Sequence, residues 1–499
     1  EILRCLVGSE MCIRDSCHTL RCFFVNYNIS PDINQFILES FTAFDIIFDN
    51  AIMTLREGLY IYMRASTKKI IKAIGFICVL CLVYILYFNF SYYLSENNFL
   101  RCTLNEAHKS KDYTMCFIGP STTYGSFVTE EFDELLGVKS INLGSEGQLP
   151  CDSYLILKDF LSDNKPQYVV MDVWYQYYMN NDIYYRTNTN STIKTLAAIR
   201  PSLAKTAFGL DMFVKRPAIW STFALPKITF EPLTTGYGQF YSLESCIDTY
   251  QYKNQYYFSE SGTRLYKQGM GNWNYGKLSM DSETTWQGSY SSIATEYFNK
   301  IVKLCKDNDI ELIMVTPGAD DAYVLTMGHY DEAHAIFQKL ADDNGIRYYD
   351  FTYAKPDVFA RADSFYHNSS HMSSEGAHAL TYLLIDLIRA NPSDDELSGY
   401  FYQSYEEYYS NVDIANAWIE KDSDGNLVAK GLYGMDSEPE YCFYSRVHGS
   451  KNSDWTLLRD YSDDNTLTPA EYQDQDIEEI QVCVKLKDGE KVKKAYFKL

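Results

Sequence analysis

From Tyr113 to Asn391 the chain alternates short apolar runs with longer stretches whose apolar residues recur three and four apart. The runs, Tyr113 to Gly119, Ser140 to Leu143, Gln167 to Val173, Ile310 to Thr316 and Ile346 to Phe351, predict buried strands. The periodic stretches, Ser153 to Leu161, Ile293 to Cys305, Glu332 to Leu340 and Gly376 to Ala390, predict helices with one apolar face. Strands alternating with amphipathic helices imply a parallel sheet covered on both faces, hence a three-layer α/β domain over residues 110–392. Ligands of such sheets bind at the carboxyl ends of the strands.

Two regions depart from this alternation. Residues 178–287, rich in Tyr, Thr, Asn and Gly, show no strong period and read as an insertion over the sheet, a lid or a substrate-binding cap. After Pro392 an acidic, tyrosine-rich connector, residues 393–411 with "DDELSGYFYQSYEEYY", leads into residues 412–499. There the apolar period becomes two, with turn signals at Asp424-Gly425 and Asp488-Gly489, which predicts a C-terminal all-β domain. Asp422 and Asp424 lack the spaced Gly and terminal Glu of a calcium loop, so a hairpin turn is the reading.

At the other end, Arg64, Lys68, Lys69 and Lys72 precede an uncharged run, Ala73 to Phe88 ("AIGFICVLCLVYILYF"), that continues to Tyr92 and Tyr93. A spanning helix needs roughly 20 mostly apolar residues, and residues 63–95 are expected to form a cytoplasmic stub and a transmembrane anchor. The basic flank places everything after Tyr93 outside the cell. Upstream, "CLVGSEMCIRDS" from Cys5 to Ser16 resembles a translated sequencing adapter, so residues 1–62 read as a non-native leader and Met63 as the natural start.

Composition narrows the function. The 46% hydrophobic content suits folded cores, and a net charge of −22 without a basic stripe excludes a nucleic-acid partner. The 44 tyrosines suit either sugar-stacking surfaces or amphipathic packing. Of the 13 cysteines, Cys5, Cys12, Cys17 and Cys22 lie in the leader and Cys78 and Cys81 in the anchor. The rest are scattered without zinc spacing or a disulfide framework, and Cys442 and Cys483 are either a pair or two buried thiols. No cofactor or metal is expected.

Candidate chemistry centres on "CFIGPSTTYGSF", Cys116 to Phe127, where a strand stops at a glycine and Ser121 follows. A serine nucleophile needs a base, and "FYHNSSHMSSEGAHAL" places His371 in the loop entering the last helix of the sheet. Together with "INLGSEGQ" these stretches resemble the SGNH (GDSL-like) hydrolase and acyltransferase superfamily, over Asp112 to Ala390 without the insertion. The resemblance implies an SGNH/flavodoxin-like fold, Ser121 as nucleophile, His371 as base, and the N–H groups of Gly144 and Ser121 as oxyanion donors. Where the family has Asp-x-x-His, this chain has Asn368-Ser369-Ser370-His371, so Asn368 stands in for the acid. Asp172 and Asp363 are the alternative carboxylates for that place, and Asn180 and Asn181 the nearest residues to the family's third block. A metal reading of His367 and His371 lacks a third ligand in range.

The membrane-anchored branch of this superfamily, with the teichoic-acid D-alanine-transfer protein and the alginate O-acetylation proteins, is the part the motifs resemble. That implies an acyl-ester hydrolase or O-acyltransferase acting on an acylated surface polymer, beside a membrane-bound O-acyltransferase. A catalytically degenerate relative that binds surface glycan or scaffolds an envelope complex is the alternative. "YCFYSRV" and "IQVCVKLKD" in the tail resemble an Ig-like, triple-tyrosine β-sandwich module, which implies protein or glycan contact.

Overall fold

Five short strands, β1 (Met115–Ile118), β2 (Ser140–Asn142), β3 (Tyr168–Asp172), β4 (Glu311–Thr316) and β5 (Arg347–Asp350), pair in parallel in the order β2-β1-β3-β4-β5. They are the five predicted runs, trimmed by one or two residues at their ends. Most of their residues are buried, as a sheet covered on both faces requires. One helix layer joins Pro150–Phe160 to Ser292–Asp307, and another joins Ser374–Ala390 to Ser121–Ser126 and Thr129–Leu136. The 2-1-3-4-5 order reverses direction between β1 and β3, so a crevice opens beyond their carboxyl ends. Ser121 follows β1 and Asp172 ends β3.

The structure is a computed structural model and describes residues 65–93, 99–179, 189–216, 243–250, 252–269, 291–327, 329–451, 454–473 and 476–499. The chain divides into two compact units, Glu1–Glu96 with Leu196–Tyr237, and Asn97–Thr195 with Gly238–Leu499. The expected leader, residues 1–62, lies outside the described residues, as does much of the 178–287 insertion.

In the first unit one helix runs from Ala65 to Tyr93. Among the described residues no helix is long and apolar enough to cross a membrane, so the expected spanning helix is not found. Lys68, Lys69 and Lys72 fall inside the helix, and near its end the buried Asn89 amide donates to Thr206 Oγ1 at 2.7 Å and accepts from Ser202 N–H at 3.0 Å. Its side chains Ile70, Ile74, Phe76, Ile77, Leu80 and Val83 are exposed.

In the second unit the tail forms two antiparallel sheets. One orders its strands Thr456–Ser462, Pro439–Val447, Ile477–Leu486 and Val492–Lys498, and the other Thr466–Leu467, Leu427–Leu432 and Asn416–Lys421. Leu427, Ala429, Phe443, Ile480, Val482 and Val484 share one core. The acidic turn is the hairpin the sequence predicts: Asp422 Oδ1 accepts from the N–H groups of Asp424 and Asn426 at 2.9 and 2.8 Å. Cys442 and Cys483 sit opposite each other across the strand register and both are thiols. The connector 393–411 is packed on the α/β domain: Tyr402 N–H donates to Tyr353 O at 2.8 Å and Tyr408 OH to Asp321 at 2.9 Å.

Candidate active site

Gly119 follows β1 at φ 145°, a conformation that disfavours a side chain. A Cβ there would lie 2.4 Å from Thr123 Oγ1 and 2.7 Å from Asp172 Cβ. This glycine turns the chain sharply into the helix Ser121–Ser126 and leaves Ser121 at its first position. Gln148 locks the turn: its Oε1 accepts from Gly119 N–H at 2.9 Å while its amide donates to Leu143 O, also at 2.9 Å. Substitution Gly119→Ala is expected to lower stability by about 3 kcal/mol through backbone strain and overpacking, read as a lower urea midpoint at unchanged slope.

Two segments distant in sequence meet here. Ser121 Oγ lies 2.7 Å from His371 Nε2, and His371 Nδ1 lies 2.9 Å from Asn368 Oδ1. The same Oδ1 accepts from the backbone N–H groups of Ser370 and His371 at 3.1 and 3.0 Å. Only an oxygen can accept from two N–H groups, so the amide orientation is assigned by its backbone donors. Nδ1 must then donate, and in the neutral ring Nε2 is left as the acceptor for the Ser121 hydroxyl proton. Burial, with a smaller contribution from His367, pushes the His371 imidazole down to about 4. The ring therefore rests neutral at physiological pH, in the state a general base needs.

The His371 segment is held from three sides. The hairpin of strands Tyr256–Phe258 and Arg264–Tyr266, from the inserted region, sets Tyr266 edge-on to His371 with ring centres 5.7 Å apart and stacks it on His367 at 3.8 Å. Ser373 caps the helix Ser374–Ala390, and its hydroxyl donates to Ser364 O at 2.6 Å. From the β-domain, Lys493 Nζ donates to both carboxylate oxygens of Asp363 at 2.7 and 2.8 Å, and Lys491 Nζ to Arg361 O at 3.3 Å. Behind them Arg361 pairs with Asp321, and Asp320 N–H donates to Ser369 O at 3.1 Å. Burial pushes the Asp320 carboxyl up to about 6.

Neither alternative carboxylate reaches His371. Asp363 is taken by Lys493, and Asp172 Oδ2 accepts the hydroxyls of Thr122 and Thr123 at 2.5 and 3.0 Å. Burial pushes the Asp172 carboxyl up to about 7, against the Thr122 and Thr123 bonds. Its place is under the helix Ser121–Ser126. Gly144 stands where β2 ends, beside that helix, and its N–H donates to Asn142 Oδ1 at 3.1 Å. Asn142 in turn donates from its amide nitrogen to Thr123 O at 3.0 Å. Ser121 N–H opens a helix and has no intrahelical acceptor. Asn180 and Asn181 lie outside the described residues.

Nothing in the local sequence marks Tyr266 or Lys493, whose chain segments reach the site only through tertiary folding. Gln148 and Asn142 lie inside "INLGSEGQ", where an amide buried beside a strand end was the available signal.

No protein-family model matches this sequence, and no curated protein does. Among solved structures, a Bacteroides fragilis protein assigned as an acylhydrolase is 14% identical, with 56% of this chain and 86% of that one covered, at a TM-score of 0.26. A GDSL-like lipase of Bacteroides thetaiotaomicron is 12% identical, with 57% and 91% covered, also at a TM-score of 0.26.

Proposed function

We propose that this protein is an SGNH-type acyl-ester hydrolase or O-acyltransferase that works through Ser121 and His371 on an acylated cell-surface polymer. The observation that carries the reading is the unbroken chain from Ser121 Oγ through His371 to Asn368 Oδ1. His371 Nε2 takes the hydroxyl proton as Ser121 Oγ attacks the acyl carbonyl. The Ser121 N–H faces the developing oxyanion, and Gly144 N–H joins it by exchanging its bond to Asn142. The imidazolium then protonates the leaving oxygen, and water or a sugar hydroxyl, deprotonated by the same ring, resolves the acyl-enzyme. The placement outside the cell rests on Arg64, Lys68, Lys69 and Lys72 ahead of the uncharged run, and a membrane-bound O-acyltransferase is the acyl source that placement suits.

Asn368 favours one rival, a glycan-binding relative without turnover, because an amide leaves the imidazolium uncompensated. A fluorophosphonate probe separates the two. The expected result is one probe per chain, mapped by peptide mass spectrometry to Ser121. Failure to label a folded chain would remove the catalytic reading and leave the binding protein.

A further inference from the structure

We propose that Cys102 and Cys246 form a disulfide that staples the inserted region to the helix preceding β1. Cys102 lies in the helix Phe99–Ser110 and Cys246 in the helix Leu243–Thr249, 144 positions later, with their sulfurs 3.3 Å apart. Both side chains are buried. A disulfide bond is about 2.05 Å long, so a closure of roughly 1.2 Å by side-chain rotation makes it.

The surroundings give the pair an order of reaction. The Cys102 thiol donates to the Cys246 sulfur. That hydrogen bond, and then the Arg264 guanidinium against the opposing effect of burial, hold the Cys246 thiol below its ordinary range, whereas Cys102 is pushed up. Cys246 is thus the attacking thiolate. With oxidised glutathione as oxidant, Cys246 Sγ attacks one glutathione sulfur, the glutathione S–S bond breaks and one glutathione thiolate leaves. Cys102 then loses its proton and attacks Cys246 Sγ, releasing the second glutathione thiolate. Two protons and two electrons have passed from the protein to glutathione. Because both sulfurs are buried, this exchange occurs while the short Leu243–Thr249 helix docks or opens.

The bond fastens the cover of the nucleophile helix. Tyr250, next after the Cys246 helix, packs on Phe99 at 5.1 Å and on Tyr256 at 5.9 Å between ring centres. Arg264, from the same cover, lies 3.4 Å over the Tyr124 ring and 2.6 Å from Glu146. The staple joins this aromatic layer to Phe99–Ser110, and it stands whether or not Ser121 is a nucleophile.

The test uses the full chain equilibrated with reduced and oxidised glutathione, alkylated, digested without reductant and mapped by mass spectrometry. The expected result is one cross-linked peptide pair containing Cys102 and Cys246, and a melting temperature higher than that of the reduced protein by roughly 5 °C. Cys246→Ser should erase the difference between oxidised and reduced protein. Alkylation of both Cys102 and Cys246 after oxidation, a lasting glutathione adduct on Cys246, or a cross-link confined to Cys442 and Cys483 would each overturn the proposal.

Discussion

Ser121→Ala and His371→Ala should each lower turnover of p-nitrophenyl acetate by about a thousandfold or more, and the double variant should be no worse than either alone. The two side chains share one proton at 2.7 Å, so removing either disables the same step. A serine without its base is almost fully protonated at neutral pH, and a base without its serine has nothing to activate. Additive losses in the double variant would mean that the residues act separately, which contradicts the shared proton. Circular dichroism should show the fold intact in all three, because Ser121 and His371 are only part-buried and belong to no apolar core. Equal turnover in wild type and variants would sink the mechanism.

Asn368→Asp should raise kcat/KM by about ten- to a hundredfold and move the acid limb of the pH profile upward. The carboxylate accepts the same two backbone N–H groups and the Nδ1 proton, so the geometry survives. It adds a negative charge that favours the imidazolium. An adjacent opposite charge shifts a pKa by about 1 to 3 units, each about 1.4 kcal/mol. In wild type the working neutral form of His371, held near 4, is present at every pH above that, so activity should fall only in acid near pH 4. With the histidine pKa raised, the variant loses its base form at a higher pH, and in exchange has a stronger base at neutral pH. A profile whose limb stays put, or moves down, would show that residue 368 does not address the ring. Asn368→Leu should lose activity, since Nδ1 then has no partner to fix its proton.

Much of the α/β domain was legible because its strands are buried on both faces and its helices on one, so burial writes itself into the period of apolar residues. The five strands and four of the covering helices fall where that period puts them. The helices Thr129–Leu136 and Asp321–Met327, eight and seven residues long, span only about two turns, too few for a period of apolar residues to declare itself. Ser121, His371 and Asn368 were legible through motif order, and the structure brings all three together. Tyr266 and Arg264 were not, because they sit on a hairpin three residues deep on each side within a stretch whose composition carries no period. The charge of the connector 393–411 predicts a linker. Its Tyr408 is buried against Asp321 and Tyr353, and acidic composition conceals that packing.

Lys493 stands on the last strand of the chain, yet its ammonium neutralises Asp363 on the loop that ends in His371. The β-domain is therefore a poor candidate for recombination as a self-contained cassette. A shortened gene, or a fusion that exchanges residues 412–499 for another β-module, would remove Lys493 from Asp363 and Lys491 from Asp321, leaving Arg361 as the cation paired with Asp321 near His371. Such a lineage would keep the sheet, the serine and the histidine, and lack the ammonium that ties Asp363 to the β-domain.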